Sequence, residues 1–282
     1  MADRTVNWQA FSLLGLLSVG TSGPEDARVL EIIERAAARN LLDYVHAART
    51  VAPELKAAAT GCAGGAAAFL GAGSPLTTVK GSGPDLTEED IDAAEHFFLQ
   101  CGAGRAIFEV APWISAESSD RLRRRDYEVV GSENVVVRSP PFTAPEPHHH
   151  VVHVDARCWP ELMLLMNDFP DSSPWRALAE ASAILPGAIR FGVPGGGGAF
   201  LACAQIQSSA GVGLFGNDAT LHSARRRGLH TATIQQRLRA AATLDFSCVA
   251  AEVAPGSASE RNYLRCGFHL AYTRAHYARN LI

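Results

Sequence analysis

The residues best placed to do chemistry form one basic turn, His222-Ser223-Ala224-Arg225-Arg226-Arg227-Gly228-Leu229-His230-Thr231. A strand-like stretch ends at Leu221, and a helical pattern runs on through Ile234, Leu238 and Ala241. Such a turn suits an anion. The first N–H groups of a helix have no internal partner, and the helix dipole adds about half a positive charge there. Gly228 lets the backbone approach a ligand closely or take a positive φ. A solvated basic helix cap is the plain alternative, and the turn by itself does not choose. His222, at its entry, has a side chain that could deprotonate an amine near neutral pH; the other reading is a helix-entry residue.

Composition narrows the chemistry. The 282 residues carry a net charge of −4, which argues against nucleic acid or an anionic membrane as partner. Residues 149–282 hold 12 Arg against 9 acidic residues, so only the second half suits an anionic ligand. Lys56 and Lys80 are the only lysines, both in the first half, so that half alone could supply a Schiff-base or P-loop lysine. Six cysteines (Cys62, Cys101, Cys158, Cys203, Cys248, Cys266) form no CxxC pair and read as reduced thiols of a cytoplasmic protein. No apolar run approaches a membrane span. The short apolar run at residues 11–19 lacks a convincing cleavage box and reads as a first buried helix.

The elements that must position the turn come from a duplication. A chain of this length suggests two domains. Four prolines within residues 139–147 mark an extended linker, giving domains at 1–138 and 148–282. Glu109-Val110-Ala111-Pro112 recurs as Glu252-Val253-Ala254-Pro255, an offset of 143 residues, with an apolar strand before each copy and a Ser-rich helix start after it. The same offset lays a helix at 87–100 on one at 230–242. Further helices are expected at 25–50, 160–166 and 174–184, and strands at 66–70, 76–79, 199–205 and 212–221. The pattern is mixed α/β and not doubly wound, because two antiparallel strands precede the first strand–helix crossover.

Arg225-x-x-Gly228-x-His230 on a strand–turn–helix, followed by a strand and Asn262-Tyr263-Leu264-Arg265-Cys266-Gly267-Phe268, resembles the GCN5-related N-acetyltransferase (GNAT) superfamily over roughly residues 150–282. The first segment looks like its acyl-CoA pyrophosphate loop, usually (Gln/Arg)-x-x-Gly-x-(Gly/Ala), and the second like its Tyr-x-x-x-Gly-Phe signature. The departures are His230 for the usual small residue, Gly256 where an Asn commonly stands, and His222 where a Pro often precedes the loop.

The resemblance implies two tandem GNAT-like domains, each a mixed, mostly antiparallel sheet flanked by helices. It implies that Arg225, Arg226, Arg227, Gly228, Leu229, His230 and Thr231 hold the pyrophosphate, and that Asp218, Ala219 and Thr220 pair with pantetheine through their main chain. Tyr263 matches the family's general acid, and Glu252 lies where some members place a base. Tyr263 as a core residue and Glu252 as a structural mate of Glu109 stand as the alternatives. The reaction implied is direct transfer of an acyl group, by default acetyl from acetyl-CoA, to the primary amine of a small molecule, without a metal.

In the first copy the offset puts Ser82-Gly83-Pro84-Asp85-Leu86-Thr87 under the loop, followed by Glu88, Glu89 and Asp90. Thr87 with Asp90 is a capping box. The carboxylates occupy the place of the diphosphate and Pro84 removes a donor, so this copy is expected to be degenerate. His148, His149, His150 and His153 read as a solvated linker end, because consecutive strand side chains cannot converge on a metal. The glycines at 195–198 read as a turn between strands. Arg121, Arg123, Arg124 and Arg125 read as a solvated helix face, with a CoA 3′-phosphate contact as the alternative. Trp113, Trp159 and Trp175 read as core or pocket wall. A non-catalytic acyl-CoA sensor and a dimerisation module remain as rival functions, and a homodimer is compatible with each.

Overall fold

A computed structural model describes residues 27–282, so the run at 11–19 and the helix start at Glu25 lie outside the described residues. Helix α1 (Ala27–Val51) buries Leu30, Ile33, Ala37, Leu41, Tyr44 and Ala48, a spacing of three and four that makes one apolar stripe. Strands β1 (Ala58–Cys62), β2 (Gly65–Phe69) and β3 (Thr78–Lys80) follow, then α2 (Glu88–Gln100), β4 (Arg105–Val110), α3 (Ala116–Arg124) and β5 (Glu128–Arg138). The second half opens with β6 (Val152–His153), α4 (Trp159–Asn167) and α5 (Trp175–Ala183). It continues as β7 (Ile189–Pro194), β8 (Phe200–Ser209), β9 (Val212–Thr220), α6 (Leu229–Ala241), β10 (Cys248–Val253), α7 (Ala258–Arg265) and β11 (His269–Asn280). From β7 onward the succession repeats β1 to β5 element by element, a tandem of two mixed α+β copies.

The two copies share one 11-stranded sheet, ordered β1-β2-β3-β4-β11-β5-β10-β9-β8-β7-β6. Their last strands are exchanged. β5 pairs with β10 of the second copy (Val135 opposite Glu252), and β11 lies between β4 (His276 opposite Glu109) and β5 (Arg274 opposite Glu133). Exchange removes the two sheet edges that separate copies would expose at this point. Pairing is antiparallel except at β3–β4 and β9–β10, the two strand–helix–strand crossovers.

Alternation along β5 and β10 sorts the faces. Val135, Val137 and Ala250 pack in one cluster with α1, whereas Val136, Val249 and Ala251 pack in another with α6. β9 and β10 pair only from Val212–Cys248 to Phe215–Ala251. Beyond that point the ladder of β9 with β8 shifts register between Cys203 and Gln205, and Asn217 takes φ 54°. From Gly216 on, β9 therefore leaves β10 and a V-shaped gap opens between them.

Residues 139–147 are less detached than an extended linker suggests. Phe142 is buried in the α6 cluster, and Glu146 pairs with Arg239 at 2.9 Å. Three of the four arginines at the end of α3 are already paired, Arg125 with Glu88, Asp92 and Glu95, Arg121 with Glu117 and Arg123 with Asp120, while Arg124 is exposed. The six cysteines are unpaired, and no described helix is long and apolar enough to cross a membrane.

Candidate active site

The N-termini of α2 and α6 occupy corresponding places in the two copies and differ in what they leave open. In α2 the Thr87 hydroxyl accepts from the Asp90 N–H, the Asp90 carboxylate accepts from the Thr87 N–H, and three acidic residues crowd the first turn. In α6 the N-cap is Gly228, with φ 81° and no side chain to take the free N–H groups. Arg226 is also in the left-handed region, φ 63°. Such a cap leaves a row of N–H donors for an anion. The loop is braced from behind by His149, whose Nε2 donates to the Arg227 carbonyl at 2.8 Å. That correction follows from the chain path: residue 149 runs under the turn, so it is a buttress and not a solvated linker end.

A cavity of about 800 Å³ lies in front of this cap. Of the residues expected to hold the cofactor, Asp218, Ala219, Thr220, Arg225, Arg226, Gly228, Leu229, His230 and Thr231 are on its wall, and Arg227 is not. Sequence reasoning missed the opposite wall, where α7 contributes Ser259, Arg261, Asn262 and Arg265. Arg261 and Arg265 are one helical turn apart just before Gly267-Phe268, a signal that was there to be read. Four arginines and an open helix N-terminus face one cavity, a donor set that fits a diphosphate.

Behind the cavity wall, β9, α6 and α7 are tied by a buried network. The guanidinium of Arg237, fully buried, donates to both oxygens of Asp218 and, at 3.2 Å, to the hydroxyl of Tyr263. Tyr263 in turn donates to Asp218. His230 joins from the cavity side, its Nε2 3.3 Å from Asp218 and its Nδ1 3.1 Å from the Asn262 amide. Burial pushes the Asp218 carboxyl up, but the cations around it, Arg237 first, win and hold it at about 2. Burial, reinforced by Asp218 and opposed by Arg237, drives the Tyr263 hydroxyl well above its ordinary value. Tyr263 thus sits one carboxylate behind the wall and lines neither of the two cavities described here.

The V-shaped gap leads to a second cavity, of about 260 Å³, on the α1 side. Gly216 and Asn217 line it while Asp218 lines the first, so successive residues of β9 serve the two cavities. Its walls come from both copies, including Ile33, Ala37, Asn40, Leu41, Tyr44 and Lys80 of the first and Leu185, Gln205, Gln207, Phe215 and Glu252 of the second. His222 lines neither cavity; it sits exposed in the short turn after β9.

Glu252 enters this cavity at the end of a charged row that crosses the shared centre of the sheet. Lys80 Nζ lies 2.7 Å from Glu252 and 2.9 Å from Glu109, and Arg274 lies 2.7 Å from Glu252, 2.6 Å from Glu34 and in contact with Glu133. Burial and Glu133 push the Glu252 carboxyl up; Lys80 and Arg274 outweigh them and keep it low. Burial prevails at Glu109 against Lys80 and raises its carboxyl to about 7. Glu109, Glu133 and His276 lie close enough to share a metal ion, but the Lys80 ammonium already stands 2.9 Å from Glu109 and 3.6 Å from Glu133.

No protein-family profile and no curated protein matches this sequence. Solved structures do match. A GCN5-related N-acetyltransferase from Kribbella flavida superposes with a TM-score of 0.62 at 14% identity, covering 86% of this chain and 95% of that one. A tandem GNAT protein from the clavulanic acid biosynthesis pathway gives a TM-score of 0.61 at 11% identity, over 91% and 96% of the two chains. A GCN5-related N-acetyltransferase from Sphaerobacter thermophilus gives 0.54 at 16% identity, over 68% of this chain and 66% of that one. The class defined by fold is therefore the GNAT fold. The particular arrangement is the tandem form, with one cap open and one closed.

Proposed function

We propose that this protein is an acyl-CoA-dependent N-acyltransferase, with acetyl-CoA as co-substrate and a small primary amine as acceptor. The observation that carries the reading is the uncapped α6 N-terminus with its four arginines, set beside a strand gap that opens onto a second cavity holding Glu252. The fold neighbours support it, two being GCN5-related N-acetyltransferases and one a tandem GNAT protein.

Acetyl-CoA, when bound, supplies a thioester carbonyl reactive toward a neutral amine. The α6 N–H groups with Arg225, Arg226, Arg261 and Arg265 hold the diphosphate, and the main chain of residues 216–220, freed from β10, pairs with the pantetheine amides. Glu252, ionised, takes the proton of the arriving ammonium so that nitrogen can attack. The N–C bond forms as the C–S bond breaks, and the departing thiolate needs a proton. In this scheme Tyr263 supplies that proton by way of Asp218, to which it donates, and the proton that the attacking nitrogen sheds on becoming an amide restores the Tyr263 hydroxyl by the same route.

The placement of Tyr263 and the low Glu252 carboxyl favour a second reading, an acyl-CoA-binding protein without turnover. The test is thiol release from acetyl-CoA with a panel of primary amines. The first reading expects amine-dependent release that Glu252→Gln and Tyr263→Phe each reduce at least tenfold. Acetyl-CoA binding with no amine-dependent release would leave the second.

A further inference from the structure

We infer that the second cavity is built for a small amine that carries no carboxylate or phosphate, with its ammonium at Glu252 and an apolar body along α1. The inference rests on the acyl-transfer reading of the site and adds the acceptor's chemical class to it.

Charge carries the first part of the argument. Among the described residues Lys80 is the only cation on the cavity wall, and it is already engaged by Glu252, Glu109 and Glu133. Arg274, fully buried, is engaged by Glu34, Glu133 and Glu252. Two cations thus face four carboxylates. Two further titratable groups touch the row: His276 Nε2, 3.9 Å from both Glu109 and Glu133, and the Tyr272 hydroxyl, which donates to Glu34. With all four carboxylates ionised the row is negative even if His276 is charged; with Glu109 protonated, as it is below about pH 7, the row is negative while His276 is neutral. It meets the cavity through Glu252, whose side chain is 36% exposed against 17% or less for the other three.

Hydrogen bonding carries the second part. Three of the amide groups on the cavity wall direct N–H donors into the protein. Gln207 donates to the Pro186 carbonyl at 2.7 Å, Gln205 to the Ser182 carbonyl at 3.3 Å, and Asn217 to Gln205 at 3.0 Å and the Tyr44 oxygen at 3.2 Å. The amide oxygens of Gln207 and Asn40 have no partner. The Tyr44 hydroxyl and the Asn40 amide can still donate to an occupant, but neither carries a charge, and a pocket whose described wall has an exposed carboxylate and no spare cation disfavours a buried carboxylate and favours a cation. Ile33, Ala37 and Leu41 supply the apolar wall between the two ends. From Ile33 to Tyr44 the wall follows α1 for about 16 Å, so the occupant is elongated.

The test uses the full chain and three matched probes: tyramine, tyrosine (the same molecule with an α-carboxylate) and 4-ethylphenol (the same body without the amine). Each is titrated by calorimetry, and acetyl-CoA is titrated separately. The expected result is that tyramine binds at least tenfold tighter than either of the others. Glu252→Gln should bring tyramine down to the level of 4-ethylphenol and leave acetyl-CoA binding unchanged. Tyrosine binding as well as tyramine, or no measurable tyramine binding, would overturn the inference. The wild-type comparison decides even if the variant misfolds. Loss of acetyl-CoA binding with tyramine selectivity intact would remove the transfer reading and leave the pocket assignment standing.

Discussion

Lys80 Nζ and Glu252 Oε2 lie 2.7 Å apart although 172 residues separate them and they belong to different copies of the repeat. The contact spans the shared centre of the sheet, where Glu109 of β4, Arg274 of β11 and Glu133 of β5 lie between the two and join the same charged row. The half without an open helix cap therefore still supplies part of the second cavity: α1 as a wall and Lys80 as the counter-ion of Glu252.

Exchange of the last strands makes the halves mutually dependent. Residues 1–147 expressed alone would lack β11 beside β4, and residues 148–282 alone would lack β5 beside β10. Neither fragment should show a cooperative thermal transition, and co-expression should restore one. The check is circular dichroism melting of each fragment and of the co-purified pair. A sharp transition in either isolated half would show that the exchange is dispensable.

The Asp218–Arg237 pair should dominate the stability of the second copy. Asp218→Asn leaves a fully buried guanidinium without its counter-charge and is expected to cost about 3–5 kcal/mol in urea unfolding. Tyr263→Phe removes one buried hydrogen bond to the pair and should cost only about 1–2 kcal/mol. Because the Asp218 carboxyl is held at about 2, below its ordinary value, its contribution is complete above pH 4 and is lost as pH falls toward 2. Equal costs for the two variants would contradict the network as described.

Glu109 has the opposite sign. Its carboxyl is raised to about 7, first by burial, with Lys80 opposing. The folded state therefore favours its protonated form, and that contribution is greatest below the ordinary carboxyl range and disappears as pH rises through 7. The unfolding free energy from urea titrations should fall between pH 5.5 and 8, by about 2 kcal/mol. Glu109→Gln should flatten that fall. A variant with the wild-type slope would place the titration elsewhere.

What the sequence made legible follows from how local each signal is. The α2 capping box, the Arg225–Gly228 turn and the repeated Glu-Val-Ala-Pro segment are short-range patterns, and each lies where its pattern requires. β1, written Ala-Ala-Thr-Gly-Cys, has no bulky alternation to betray it. The strand exchange is invisible because Val135, Val136 and Val137 read the same whichever copy they pair with. The charged row is invisible for a related reason. Lys80, Glu133 and Arg274 lie far apart in the sequence and Glu34 sits among the charges of α1, and only the strand order and the packing of α1 bring them together.

The central claim is that the α6 cap and its arginines form an acyl-CoA diphosphate site. Calorimetric titration of acetyl-CoA into the wild type and into a Gly228→Asp, Arg226→Glu double variant tests it most directly. The variant puts two negative charges at the cap and a Cβ on a residue at φ 81°. Micromolar binding to the wild type, weakened at least 100-fold in the variant, is the predicted result. No binding to the wild type, or equal binding to both, would contradict it.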